Sequence, residues 1–175
     1  MMIANPTTLV IGLGNPILGD DGVGWKVAEV LRQELENPKS SDLDLQSVEV
    51  DCLSVGGLSL MERLAGYGHV ILIDAIYTGQ KPLGSVMTLP LSALPDPAAG
   101  HSASAHDTSL QTALSVGRSI NIPLPADKDI LIVAIETKSE YELSEELTPA
   151  VALAVPSAVK TVMSLLQSLQ EDGNT

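Results

Sequence analysis

The stretch "VIGLGNPILGDDGVG", Val10 to Gly24, decides the fold class. With Thr8 and Leu9 in front of it, it begins as a short apolar run that ends in glycines, the signature of a buried strand. It then passes through a turn carrying Asp20 and Asp21. Beyond the turn, Val23, Val27, Val30, Leu31 and Leu35 recur at helical spacing, while Lys26, Glu29, Arg32 and Glu36 fall elsewhere. Asn37-Pro38 stops that helix. A strand, a tight turn and an amphipathic helix form the opening unit of an α/β sheet.

Working outward, "LQSVEVDCL" (Leu45 to Leu53) reads as a second strand and "GLSLMERLAGYG" (Gly57 to Gly68) as a short helix closed by glycine. "HVILIDAI" (His69 to Ile76) is a third strand, apolar except for Asp74 near its end. The succession predicts a parallel sheet with helices on both faces. "GSVMTLPL" (Gly84 to Leu91) follows with too little chain for a helical crossover, so it reads as a hairpin-connected antiparallel edge strand. "DTSLQTALSV" is helical with Asp107 or Thr108 as its cap, and "DILIVAIE" is a further buried strand. Thr148-Pro149 gives an N-cap followed by proline at the first helical position. From there a long apolar helix runs with a bend expected at Pro156, and the last residues, "EDGNT", are expected to fray. The fold class is a three-layer α/β sandwich: a mostly parallel twisted sheet of about five strands, one strand antiparallel, helices on both faces. Residues 1–175 read as a single domain.

Composition narrows the partners. Apolar residues make up 45% of the chain, enough to fill one core, and aliphatics must fill it because Phe is absent. The formal charge of −13 repels polyphosphate and nucleic acid. Cys52 is the single cysteine, so it reads as a buried structural thiol, with no internal disulfide and no cysteine pair for structural zinc. "MMIANPTT" lacks the basic flank and long apolar core of a signal peptide. No uninterrupted apolar run approaches ~18 residues, so the expectation is a soluble cytoplasmic protein with no membrane partner.

In open α/β sheets, ligands bind beyond the carboxyl ends of the strands. That rule selects Asn15, Asp20 and Asp21 after the first strand, Asp74 at the end of the third, and His101 and His106 after the fourth. Asp20 or Asp21 can instead cap the first helix. Both cannot do so, and adjacent carboxylates repel unless a cation or hydrogen bonds offset them. A carboxylate after "VILI" costs several kcal/mol unless partnered, so Asp74 should have a specific partner. His69, on the opposite side of the sheet, reads as structural or solvent-facing. Two aspartates and a histidine suit nickel, zinc or copper and leave positions open for substrate or water. No HExxH helix and no G-x-S-x-G elbow is present.

With these residues in view, the sequence resembles the hydrogenase maturation endopeptidases, which trim the large subunit of nickel-iron hydrogenases. "VIGLGNPILGDDGVG" is similar to the family's glycine-asparagine-acidic opening. "VILIDAI" resembles its strand with a metal-binding aspartate, "SAHDTSL" the segment with its histidine ligand, and "LTPAVALAVP" the start of its C-terminal helix. By that resemblance the family's nickel-recognition ligands fall on Asp21, Asp74 and His106, the first position being Glu in some relatives and Asp in others. Asp51 matches the aspartate opening the next segment, although "DCLSVGGLSLMERL" departs from the family's Gly-rich version.

The resemblance implies an endopeptidase that removes the C-terminal extension of a nickel-loaded large subunit precursor. Nickel is carried by the substrate, and no tightly bound organic cofactor is expected. Asp21, Asp74 and His106 would engage the metal and position the scissile bond, with a carboxylate or metal-bound water assisting hydrolysis. Three alternatives stand beside it. "VIGLGNP" also resembles peptidyl-tRNA hydrolases, which call for a Thr-Arg-His-Asn element and a basic surface. A dinucleotide module would need G-x-G-x-x-G spacing and no carboxylates facing the pyrophosphate. A non-enzymatic nickel-binding assembly factor would call for more His or Cys.

Overall fold

Thr8–Leu13 forms β1, and all six residues are buried, as a central strand covered on both faces must be. The computed structural model describes residues 7–36, 44, 47–93, 105–138 and 142–173. The other strands are β2 (Val48–Leu53), β3 (His69–Ile76), β4 (Val86–Pro90) and β5 (Ile130–Glu136). The sheet order is β2-β1-β3-β5-β4, with only β4 antiparallel to its neighbour. Helix α1 (Val23–Leu35) connects β1 to β2, and α2 (Gly57–Leu64) connects β2 to β3. Helix α3 (Ala105–Ser119) precedes β5, and α4 (Pro149–Gly173) follows it.

Alternation along the strands sorts the core into two layers. Val10, Ile71, Ile73, Ala75, Val133 and Ile135 meet α1 and α4 on one face. Leu9, Ile11, Leu13, Val70, Leu72 and Ile132 meet α2 and α3 on the other. The three-layer sandwich expected from the sequence is the architecture observed.

Four details differ from the sequence reading. β4 is an antiparallel edge strand but not a hairpin partner of β3. Its partner is β5, which enters between them, with Val86 opposite Ile135 and Pro90 opposite Leu131. Helix α3 begins at Ala105, so Asp107 and Thr108 lie inside its first turn rather than capping it. Helix α4 runs on to Gly173, taking in most of the tail expected to fray. Finally, Pro149–Glu171 is long and apolar enough to cross a membrane, with a mean hydropathy of 1.5. Its Val151, Ala154, Ala158, Val162 and Leu166 are buried against the sheet and α1, so it forms part of the core.

The chain leaves β1 to one side to reach β2, then returns to the other side for β3. The right-handed crossovers therefore place α1 and α2 on opposite faces, and the sheet's switch point falls between the carboxyl ends of β1 and β3. That crevice is where doubly wound sheets bind ligands.

Candidate functional site

The crevice is built by close backbone approach. A methyl group on Gly24 would stand 2.3 Å from both the Leu13 and the Ile73 carbonyl oxygens, and one on Gly12 2.3 Å from the Gly24 carbonyl. Glycine at both positions lets the first turn of α1 rest directly on β1 and β3. Gly14 has φ of +120°, a backbone conformation that glycine adopts without strain. It turns the chain into a loop that ends in the 3₁₀ turn Gly19–Gly22, packed beside β3.

That turn separates the two aspartates. Asp20 is buried, and its carboxylate is fully engaged: the Thr148 N–H donates to Oδ1 at 2.7 Å and the Thr148 hydroxyl to Oδ2 at 2.8 Å. Asp21 is half-buried. Its Oδ2 accepts the Asn15 N–H at 2.7 Å, and its Oδ1 has no hydrogen bond among the described residues. Neither aspartate caps α1. Gly22 holds the N-cap position with no side-chain hydrogen bond, because Asp20 is drawn away to α4 and Asp21 folds back onto the loop.

Asp74 sits two residues before the end of β3, opposite Ala134 of β5. It is 3% exposed, and its Oδ1 accepts the Ala75 N–H at 2.9 Å. It shares a face of β3 with Leu72 and Ile76, which face α2 and α3. Burial in a partnered state agrees with the cost of leaving such a carboxylate bare.

His106 reaches this edge by a route the sequence did not show. Because β4 is antiparallel, its carboxyl end lies at the far edge of the sheet. The C-terminal end of α3 lies there too, where Arg118 Nη2 bonds Asp127 Oδ1 at 2.6 Å just before β5. Helix α3 therefore runs against the parallel strands, and its first turn, with His106, points toward the carboxyl edge. The side chain of His106, and all of His101, lie outside the described residues. Among the described residues no three His, Cys, Asp or Glu side chains converge on one metal position. Of the expected triad, the structure thus describes Asp21 and Asp74, on one edge at the switch point.

Asp51, Cys52 and His69, also singled out earlier, have partners within the fold. Asp51 lies within β2; its Oδ2 accepts Arg63 Nε at 2.9 Å and its Oδ1 the Cys52 N–H at 2.8 Å. Cys52, expected to be buried, is half-buried because β2 is an edge strand; it packs with Val48 and Val50 on the α1 face, and the burial it has pushes its thiol above the ordinary range. His69 stands at the opposite edge, its Nδ1 3.8 Å from Asp129 Oδ1. The sequence reading missed Glu136, 1% exposed at the end of β5. Its carboxylate accepts the N–H groups of Thr78 and Gly79 and the Thr78 hydroxyl, tying down the turn after β3. Its signal was the one used for Asp74, a lone acid closing an apolar run.

Residues 26–165 match the hydrogenase maturation protease family, a span that begins just after the acidic turn and includes Asp74 and His106. The Hydrogenase 2 maturation protease of Escherichia coli (strain K12) is 27% identical over 159 residues, which cover 91% of this chain and 90% of that protein. Among solved structures, the hydrogenase maturating endopeptidase HybD from E. coli superposes with a TM-score of 0.68 at 25% identity, covering 92% of each chain. The [NiFe] hydrogenase maturation protease HybD from Thermococcus kodakarensis shares the fold, with a TM-score of 0.64 at 24% identity over 91% of this chain and 98% of its own.

Proposed function

Since the chain belongs to the hydrogenase maturation protease family and is therefore a peptidase, we propose that it removes the C-terminal extension of a nickel-iron hydrogenase large subunit precursor that already carries nickel. The nickel is part of the substrate. Asp21, Asp74 and His106 recognise it, which brings the scissile peptide bond to the carboxyl edge between β1 and β3. No organic cofactor takes part, and the reaction belongs to the cytoplasm.

The observation that carries this reading is the division of labour in the acidic turn. Asp20 spends both oxygens on Thr148, whereas Asp21 is fixed through one oxygen and keeps the other available. A carboxylate oriented in advance by a backbone N–H meets a cation without paying to reorganise. The excess negative charge of the chain favours a cationic metal centre at such a site.

In this scheme the metal fixes the register of the substrate, and the protein supplies proximity and proton transfer. A water molecule attacks the scissile carbonyl, and an aspartate takes up its proton. The proton then passes to the leaving amine as the C–N bond breaks. Aspartic-type hydrolysis of this kind assigns the two carboxylates both recognition and acid–base roles.

The experiment is to incubate purified precursor, loaded with nickel or free of it, with this protein, and to follow the large subunit by mass spectrometry. Release of a C-terminal peptide only from the nickel-loaded form supports the proposal. Equal cleavage of both forms overturns the metal requirement, and cleavage of neither overturns the assignment of substrate.

A further inference from the structure

The exposed large apolar side chains concentrate at one end of the molecule. Ile17 lies in the loop after β1, Leu58 at the start of α2 after β2, and Tyr77 and Leu83 beyond β3. Leu143 follows β5, and Leu153 lies one turn into α4. All of these segments belong to the carboxyl edge that holds Asp21 and Asp74. Leu143 and Leu153 are each 81% exposed and Ile17 is 47% exposed. Side chains this bare protrude from the surface instead of lining a groove, and a clustered set of them marks an interaction site.

Two of them are held rigidly. The loop after β1 and the segment after β5 form a parallel bridge between Leu18 and Ser144. In it the Ser144 N–H donates to the Ile17 carbonyl at 3.0 Å, and the Gly19 N–H donates to the Ser144 carbonyl at 2.7 Å. Ile17 and Leu143 therefore flank one short ladder whose positions are set before any partner arrives, which lowers the ordering cost of docking. Ile17 shares its loop with Asp21, so a body seated on this ladder is placed in register with the carboxylate.

The charges beside the ladder indicate what fits it. Glu142, Glu145 and Glu146 are exposed around Leu143 and form no ion pair among the described residues; Lys138 lines the same hollow as Glu142 and Glu146, and three carboxylates against one ammonium leave the surface negative. Two copies of this chain meeting here would set these glutamates against one another, which disfavours self-association. A partner surface with an apolar centre flanked by Lys or Arg complements both features.

The geometry points to Ile17, Leu143 and Leu153 as the docking surface for the folded body of the precursor, beside the bond to be cut. This inference rests on the peptidase reading given above and adds the surface by which the substrate is held. The carboxylates act on one bond, and the apolar rim supplies affinity for the rest of the protein.

Binding of nickel-loaded precursor by the wild type, Ile17→Ser/Leu143→Ser, Leu153→Gln and the amino-edge control Val116→Ser/Ile120→Ser, measured by biolayer interferometry, tests the inference. Thermal melts establish that each variant is folded. The rim double variant should weaken Kd by about tenfold or more and Leu153→Gln by about threefold, while the control stays within about twofold of wild type. During processing, KM should rise by more than kcat falls. Rim variants that bind within about twofold of wild type, or a control that loses as much as they do, overturn the proposal. So does a shift of this chain from dimer to monomer with precursor binding unchanged. If the wild type binds precursor but leaves it uncut with or without nickel, the peptidase reading fails, and the Kd values judge the docking surface alone.

Discussion

Asp20 and Thr148, 128 positions apart, are joined by two hydrogen bonds of 2.7 and 2.8 Å that use both carboxylate oxygens. They fasten the 3₁₀ turn after β1 to the start of α4, and the neighbouring Asp21 inherits its position from that anchor. Hydrogen bonds to a charged acceptor contribute about 1.5–3 kcal/mol each, and removing the acceptor strands both half-buried donors of Thr148. Asp20→Ala should therefore lower unfolding free energy by about 2–4 kcal/mol, with a smaller loss for Asp20→Asn. Urea denaturation of the two variants checks this; wild-type stability in Asp20→Ala would refute the anchoring role.

Asp21 should behave in the opposite way. Asp21→Asn keeps an oxygen to accept the Asn15 N–H, so its stability should stay within about 0.5 kcal/mol of wild type. The negative charge that the proposed function assigns to the metal is lost, and processing of nickel-loaded precursor should fall by about a hundredfold or more. Single-turnover assays beside the melts separate the two effects. Asp21→Asn processing at the wild-type rate would remove Asp21 from the site.

Gly24 tests whether the crevice depends on backbone contact. Its hypothetical Cβ would lie 2.3 Å from two carbonyl oxygens on different strands, and neither strand can retreat without breaking the sheet. Gly24→Ala should cost about 3 kcal/mol or more. Gly68→Ala is the comparison: its Cβ would stand 3.6 Å from the Thr7 carbonyl, an ordinary contact, and the change should stay within about 0.5 kcal/mol. Similar melting temperatures for the two variants would argue against the close approach as the feature that seats α1.

These contrasts mark what a sequence displays and what it hides. The boundaries of β3 and the course of α1 follow from apolar period, a local property, and were legible residue by residue. Pairing is not local. Nothing in "GSVMTLPL" tells that β5, whose first residue Ile130 lies 40 positions beyond Pro90, will insert between it and β3. The same strand order hid how His106 returns to the carboxyl edge, since the helix, not the strand before it, carries the residue there. Asp20 looked like a cap for α1 because its true partner, Thr148, is distant in the chain. Asp74 was legible because a carboxylate after four apolar residues has few inexpensive fates.

Alkaline pH should probe two titratable groups that the proposed chemistry does not use. Burial pushes the Cys52 thiol above its ordinary value of 9.0, with Arg32 opposing the shift. Burial likewise raises the Tyr67 phenol above 10.0, reinforced by Glu49, whose Oε2 accepts the phenolic hydrogen at 2.5 Å, and opposed by Arg63. Both groups are neutral acids with raised folded-state values. Below pH 9.0 both are protonated in folded and unfolded chains, and their contribution is fully present. As pH climbs past 9.0 and then 10.0, the unfolded chain gives up protons that the folded chain retains, so unfolding becomes easier. Stability should decline through that window, and Cys52→Ala with Tyr67→Phe should flatten the decline while processing near neutral pH stays as in the wild type. An equally steep alkaline loss in the double variant would assign the effect to other groups.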